Sequence, residues 1–152
     1  MIDDFRLRIA DFRLRIGDCA IAIPLMPIEP GMDKEELKHR TKSFGLRVIH
    51  LAESLPKTAT ARVIGRQLLR SATSVGANYR AACRARSTAD SISKMSIVEE
   101  EADESVYWME LLIEAGFVST EKLKSLIEEA HELLAITVAS LKTAKRKSKA
   151  GK

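Results

Sequence analysis

From Lys57 to the C-terminus the 152-residue chain contains no proline. Over most of that stretch, apolar residues return at alternating steps of four and three. This rhythm commits the chain to long helices, each with one apolar stripe, because a proline-free run with a period near 3.6 meets no break. Composition agrees. Apolar residues make up 45% of the chain but aromatics only 5%, so the core is built of Leu, Ile, Val and Ala, which suits packed helices better than a sheet sandwich.

Four helices can be marked out. Asp33 is placed to cap the first, with Glu36 three residues on in the capping-box position. Leu37, Thr41, Phe44, Val48, Leu51 and Leu55 make its seam, and Pro56 ends it. After a Lys57–Thr60 connector, the second helix runs from about Ala61 to Arg86, with a seam of Ile64, Leu68, Ala72, Val75, Tyr79 and Ala82. Its small residues, among them Ser71, Ala72, Gly76 and Ala77, allow a neighbouring backbone to come close. Tight packing must then offset the helix penalty of Gly76. Ser87 with Asp90 caps the third helix, which has the seam Met95, Val98, Ala102, Val106, Met109 and Ile113 and a stop at Gly116. Ser119 or Thr120 opens the fourth, with Leu123, Ile127, Ala130, Leu134, Thr137 and Leu141 as its seam. Short connectors join antiparallel neighbours, so the expected fold is all-α, an up-down-up-down four-helix bundle.

This gives three regions. Residues 32–145 form the bundle, and residues 146–152 read as a basic, disordered tail. Residues 1–31 read as an irregular or disordered extension in which Asp4-Phe5-Arg6-Leu7-Arg8-Ile9 recurs as Asp11-Phe12-Arg13-Leu14-Arg15-Ile16. The alternating pattern suits a strand, yet two copies without a partner sheet are marginal in water. Three readings stay open for it: sequence upstream of the true start at Met32, a basic-aromatic arm that grips a partner, or a disordered tail.

Charge is divided by helix. The second carries Arg62, Arg66, Arg70, Arg80, Arg84 and Arg86 and no acid, whereas the third carries eight acids against the single base Lys94. The C-terminus adds Lys142, Lys145, Arg146, Lys147, Lys149 and Lys152. The opposed stripes can pair within the bundle, meet across a subunit boundary, or leave the arginines to hold phosphates. Arg62, Arg66 and Arg70 lie at i, i+4 and i+8 on one face, a spacing able to track a nucleic-acid backbone. Only Tyr79 is interleaved with them, so stacking on bases is poor and phosphate contact without sequence reading is the most this pattern supports.

Catalysis finds little footing. Cys19 and Cys83 are far apart and outside any C-x-x-C spacing, which favours a reducing cytoplasm over a structural disulfide. Glu36/His39 and Glu128/His131 have the Glu-x-x-His spacing of bundle di-metal sites, but the companion mid-helix Glu is missing. No nucleophile constellation or Gly-rich phosphate loop occurs, and no apolar run reaches membrane-spanning length. The expectation is therefore no catalytic residue, no metal, no cofactor and no membrane contact.

The segment Gln67-Leu68-Leu69-Arg70-Ser71-Ala72-Thr73-Ser74-Val75-Gly76-Ala77-Asn78-Tyr79 resembles the signature of the bacterial four-helix bundle proteins also known as 23S ribosomal RNA intervening-sequence proteins. Glu99 to Leu112 is similar to the third helix of that family, and the likeness covers about residues 34–142. One departure stands out: Tyr79-Arg80-Ala81-Ala82 replaces the Ile-Ala-Glu-Gly that follows the Asn in many members. The resemblance implies a bundle that assembles into a homopentamer, with relatives that serve diversity-generating retroelements by binding a reverse transcriptase and nucleic acid. It marks Gln67, Arg70, Ser74, Asn78, Glu100 and Glu104 as motif polar residues. Asn78 and Arg70 are expected to bond Glu100 or Glu104. Arg62, Arg66, Arg70, Arg80, Arg84, Lys145, Arg146 and Lys147 are the candidate contacts to RNA, DNA, a nucleic-acid enzyme or another subunit. The alternative is a protein-interaction scaffold that binds no nucleic acid.

Overall fold

The computed structural model describes residues 33–150, which form four helices: α1 (Lys34–Ser54), α2 (Ala59–Ala82), α3 (Thr88–Glu114) and α4 (Thr120–Ala150). Partner numbers run in opposite directions along each adjoining pair. Thr41 faces Gly76 while Leu55 faces Gly65. Ser71 meets Ser105 while Ala82 meets Ser91. Arg40 reaches Glu129 and Glu132 while Arg47 reaches Ser125. The bundle is therefore antiparallel, with α2 and α4 pointing the same way.

Local chemistry sets the helix ends. The Thr58 hydroxyl accepts from the Ala61 amide at 3.2 Å, so α2 starts two residues before the sequence boundary, and Ser87 accepts from the Asp90 amide at 3.1 Å. Asp33 occupies the cap position of α1, but its side chain makes no capping bond. Gly116, at φ +72°, ends α3 in the left-handed region that favours glycine, and the Phe117 amide closes back on the Leu112 carbonyl at 3.0 Å. The tail expectation needs correcting: α4 continues as helix to Ala150. Residues 146–150 are Ala, Lys, Arg and Ser with no breaker before Gly151, and Lys147 and Lys149 in the last turn complement the helix dipole. The expectations for residues 1–31 lie outside the described residues.

The core gathers Phe44, Val48, Leu68, Val75, Val98, Met109, Leu112, Leu123 and Leu133, all essentially inaccessible. α2 packs heavily on both α1 and α3 because small residues let it. A side-chain carbon at Gly76 would lie 3.4 Å from the Thr41 carbonyl oxygen, and one at Gly45 would lie 3.7 Å from that of Ala72. Between α2 and α3 the hydroxyls of Ser71 and Ser105 meet at 3.0 Å, and Ser105 also donates to the Glu101 carbonyl at 2.7 Å.

The α1–α4 side is the thinnest seam, and a salt bridge holds it. Arg40 is only 5% exposed and places Nε and Nη2 each 3.0 Å from the two carboxylate oxygens of Glu129, with Nη2 also 2.6 Å from Glu132. Burial works against the guanidinium charge, but the bonds from Glu129 and Glu132 more than offset it and keep the group firmly protonated.

Two stability changes follow. Arg40→Met is expected to lower stability by about 1–3 kcal/mol, less than the ~3–5 kcal/mol of a stranded buried charge, because Glu129 (21% exposed) and Glu132 (64%) can turn to water. An unchanged urea midpoint would mean that the clasp is idle. At Gly45 an added methyl meets only ordinary van der Waals contact, so Gly45→Ala is expected to stabilise by up to ~1 kcal/mol through helix propensity. Gly45→Leu must push α1 off α2 and cost about 1–3 kcal/mol; paired urea titrations read both signs.

Candidate nucleic-acid interface

Burial of Ala61, Leu68, Ala72, Val75 and Tyr79 on one side of α2 turns the opposite side outward. Val63, Arg66, Arg70 and Ala77 share that outer face, with Arg62 and Arg80 along its α1 edge and Arg84 in the turn just past the helix end, and all seven are exposed. Arg62, Arg66 and Arg70 therefore climb the helix in steps of about 6 Å.

Of the arginines expected to pair with the acids of α3, only Arg70 does so among the described residues. It bonds Glu104 through Nη2, approaches Glu101 at 3.4 Å through Nη1, and places Nε 3.4 Å from the Gln67 amide oxygen. Arg62, Arg66, Arg80 and Arg84 form no ion pair among the described residues. Mutual neutralisation of the two stripes, one of the three sequence readings, therefore reduces to a single cluster at mid-helix.

The motif residues separate in the same way. Glu104 is where the motif implies, bonded by Arg70 and by the Trp108 indole N–H at 2.9 Å. Glu100 is exposed and outside the cluster, and Glu101 takes the place expected for it. Asn78 does not reach an acid: its amide donates to the Ser74 carbonyl at 2.9 Å, one turn back on its own helix.

The two acids of the cluster titrate in opposite directions. The Trp108 indole and the Arg70 guanidinium hold Glu104 below the usual carboxylate range. Burial pushes Glu101 above it, despite the nearby Arg70 charge, and one of its carboxylate oxygens is buried with no hydrogen-bond partner. At the end of α2, burial and the neighbouring Cys83 thiol likewise raise Tyr79.

The remaining candidates are on α4. Lys145, Arg146 and Lys147 are exposed on its last turns. Because α2 and α4 run the same way, these residues lie at the same end of the bundle as Arg80 and Arg84. Arg62, Arg66 and Lys57 lie at the other. Among the described residues, no three His, Cys, Asp or Glu side chains are grouped to hold a metal ion, and no helix is long and apolar enough to cross a membrane.

The fold and face define a class: an antiparallel four-helix bundle with an arginine-lined outer helix and an acid-rich neighbour. Comparison with known proteins places it more closely. Residues 34–139 match the family described as 23S rRNA-intervening sequence protein, and the chain belongs to that family. Among solved structures it is similar to a protein of unknown function from the S23 ribosomal protein family of Bacteroides thetaiotaomicron VPI-5482. The two are 34% identical with a TM-score of 0.68, over 73% of this chain and 99% of that one. No curated protein matches the chain.

The Glu101–Glu104 contrast is measurable. Glu104, with its folded value depressed, contributes stability that is present above its unfolded value of 4.5 and lost as pH falls through the folded one. Glu104→Gln should therefore lower the urea midpoint at pH 7 and converge with the parent in acid. Glu101, with its folded value raised, costs stability when charged, so Glu101→Gln should be neutral or stabilising at pH 7. Equal losses from both variants would contradict the assignment.

Proposed function

We propose that this protein is a non-enzymatic, homo-oligomeric bundle that contacts RNA or DNA, alone or together with a nucleic-acid enzyme, through the α2 arginines and the basic end of α4. The observation that carries this reading is the set of exposed arginines, Arg62, Arg66, Arg80 and Arg84, that have no acid to neutralise them among the described residues. Of the candidate contact arginines, Arg70 alone is held by acids among the described residues, Glu101 and Glu104. The family description, which refers to insertions in 23S ribosomal RNA, is consistent with a nucleic-acid setting. A pentamer is what the family resemblance implies, and in one the arginine faces would be repeated around a ring.

No catalytic role is part of this reading. A second reading, a protein scaffold, is favoured by Tyr107 and Val63. These are 52% and 58% exposed on the outer faces of α3 and α2, where the charges are opposite in sign and suited to contacts between copies.

Salt dependence separates the two. Binding of a fluorescein-labelled RNA should weaken steeply with added salt. Arg62→Gln/Arg66→Gln should reduce affinity about equally for unrelated sequences and lower the log–log slope by about 1–2. Absence of binding at low salt, with oligomeric state intact, would overturn the nucleic-acid reading in favour of the scaffold.

A further inference from the structure

At the turn between α1 and α2 lies a cavity of about 340 Å³ that none of the motif residues reaches. Its floor is aliphatic, formed by Leu55 and Leu69 over the buried Ala61 and Gly65, and its rim carries Lys57, Arg62 and Arg66, with Glu53 on the α1 side. Gly65 shapes the floor. A side-chain carbon there would come within 2.7 Å of the Leu55 Cδ1 atom, so it is the absence of a side chain that lets Leu55 lie flat against α2.

Three features of the rim point to an anion. Lys57, Arg62 and Arg66 are exposed and form no ion pair among the described residues. The first turn of α2 has no acid, so the positive end of its dipole is not offset. Glu53 sits across the mouth and biases a negative group toward the α2 side. The floor, in contrast, suits a flat apolar body. A ligand with both properties whose anionic groups also repeat along α2, from Arg62 to Arg66 in a step of about 6 Å, is a nucleic-acid strand.

We infer that the α1–α2 turn is a single-strand site, in which one unpaired base rests on Leu69 and on Leu55, itself laid flat over Gly65, while Arg62 and Arg66 hold its flanking phosphates. This rests on the nucleic-acid reading above and adds strand selectivity to it. In a duplex the bases are stacked inside and cannot reach the floor, whereas a single strand can turn one out. The contact is non-specific, since the floor offers no hydrogen-bonding side chain to a base edge. It replaces the aromatic stacking that the α2 sequence lacks with an aliphatic platform made at the turn.

The test uses the full-length protein and three fluorescein-labelled probes: oligothymidylate of about twelve nucleotides, an abasic strand of the same length, and a duplex. Fluorescence anisotropy at low salt should show oligothymidylate bound about fivefold more tightly than the abasic strand, the low end of base contributions in single-strand binders, and more tightly than the duplex. Gly65→Ala should abolish the gap between oligothymidylate and the abasic strand and leave abasic binding unchanged. The methyl meets only the flexible tip of Leu55, so the fold is retained, and circular dichroism checks this. Equal affinity for all three probes, or a gap that persists in folded Gly65→Ala, would overturn the single-strand site and leave phosphate binding by α2 intact. If none of the probes binds, the site and the nucleic-acid reading fail together.

Discussion

The closeness with which α2 lies against its neighbours governs the rest of the molecule. Glycine at positions 45 and 76 brings the α1 and α2 backbones into near contact, and serine at positions 71 and 105 does the same for α2 and α3 through a direct hydroxyl contact. A helix approached so closely on two sides has one stripe left for solvent, and on α2 that stripe holds the arginines. The chain of cause runs from residue size to helix spacing, and from spacing to which charges stay exposed. A bulkier α2 would open the core and also swing the α3 acids out of reach of Arg70.

Close packing of this kind requires every buried polar group to find a partner, since a stranded one costs about as much as a lost hydrogen bond. Thr41 and Thr137 bond back to carbonyls one turn earlier on their own helices, and Ser71 and Ser105, in contact with each other, donate to the carbonyls of Leu68 and Glu101. Arg40 meets the same demand on the open side of the bundle with a two-pronged grip on Glu129. The departure is Glu101, which keeps a carboxylate oxygen buried and unbonded beside Arg70. Its neighbour Glu104 accepts from both Trp108 and Arg70, so within one turn of α3 one acid stabilises the fold and the other burdens it.

How far all this can be read from the residues depends on the kind of interaction. Four helices, their antiparallel order, the Ser87 cap and the Gly116 stop are local or periodic signals, and they are legible. The phase of the stripe is less so. On α4, Leu126 and Leu133 are buried while Ile127 and Leu134 are only partly covered, the reverse of the four-three reading. Adjacent apolar pairs carry no information about which member faces in; only the neighbouring helices decide that. The role of Arg40 is not legible from its own position, because a charge next to a seam reads as surface. The signal that could have found it is the pair Glu129 and Glu132, three apart on one face of α4, which calls for a cation opposite. The cavity at the α1–α2 turn could not be read at all, since it joins residues from two helix ends across a proline turn.

The distribution of unpaired charge then follows from where acids can be placed. An acid positioned to neutralise Arg62 or Arg66 would have to come from the C-terminal half of α3 or of α1, the elements antiparallel to α2 at that end. Glu110 and Glu114 lie there on α3, but both are exposed and turned to the outer side, away from the α2 seam. On α1 the nearest acid is Glu53, across the mouth of the cavity. At mid-helix the geometry reverses: Glu101 and Glu104 point along the α2–α3 seam and capture Arg70. The positive face of α2 is thus strongest toward its two ends and weakest at its centre, where Arg70 is paired and no arginine falls between it and Arg80. Any polyanion drawn to the bundle by long-range attraction meets those ends first, and at one of them it meets an aliphatic floor as well.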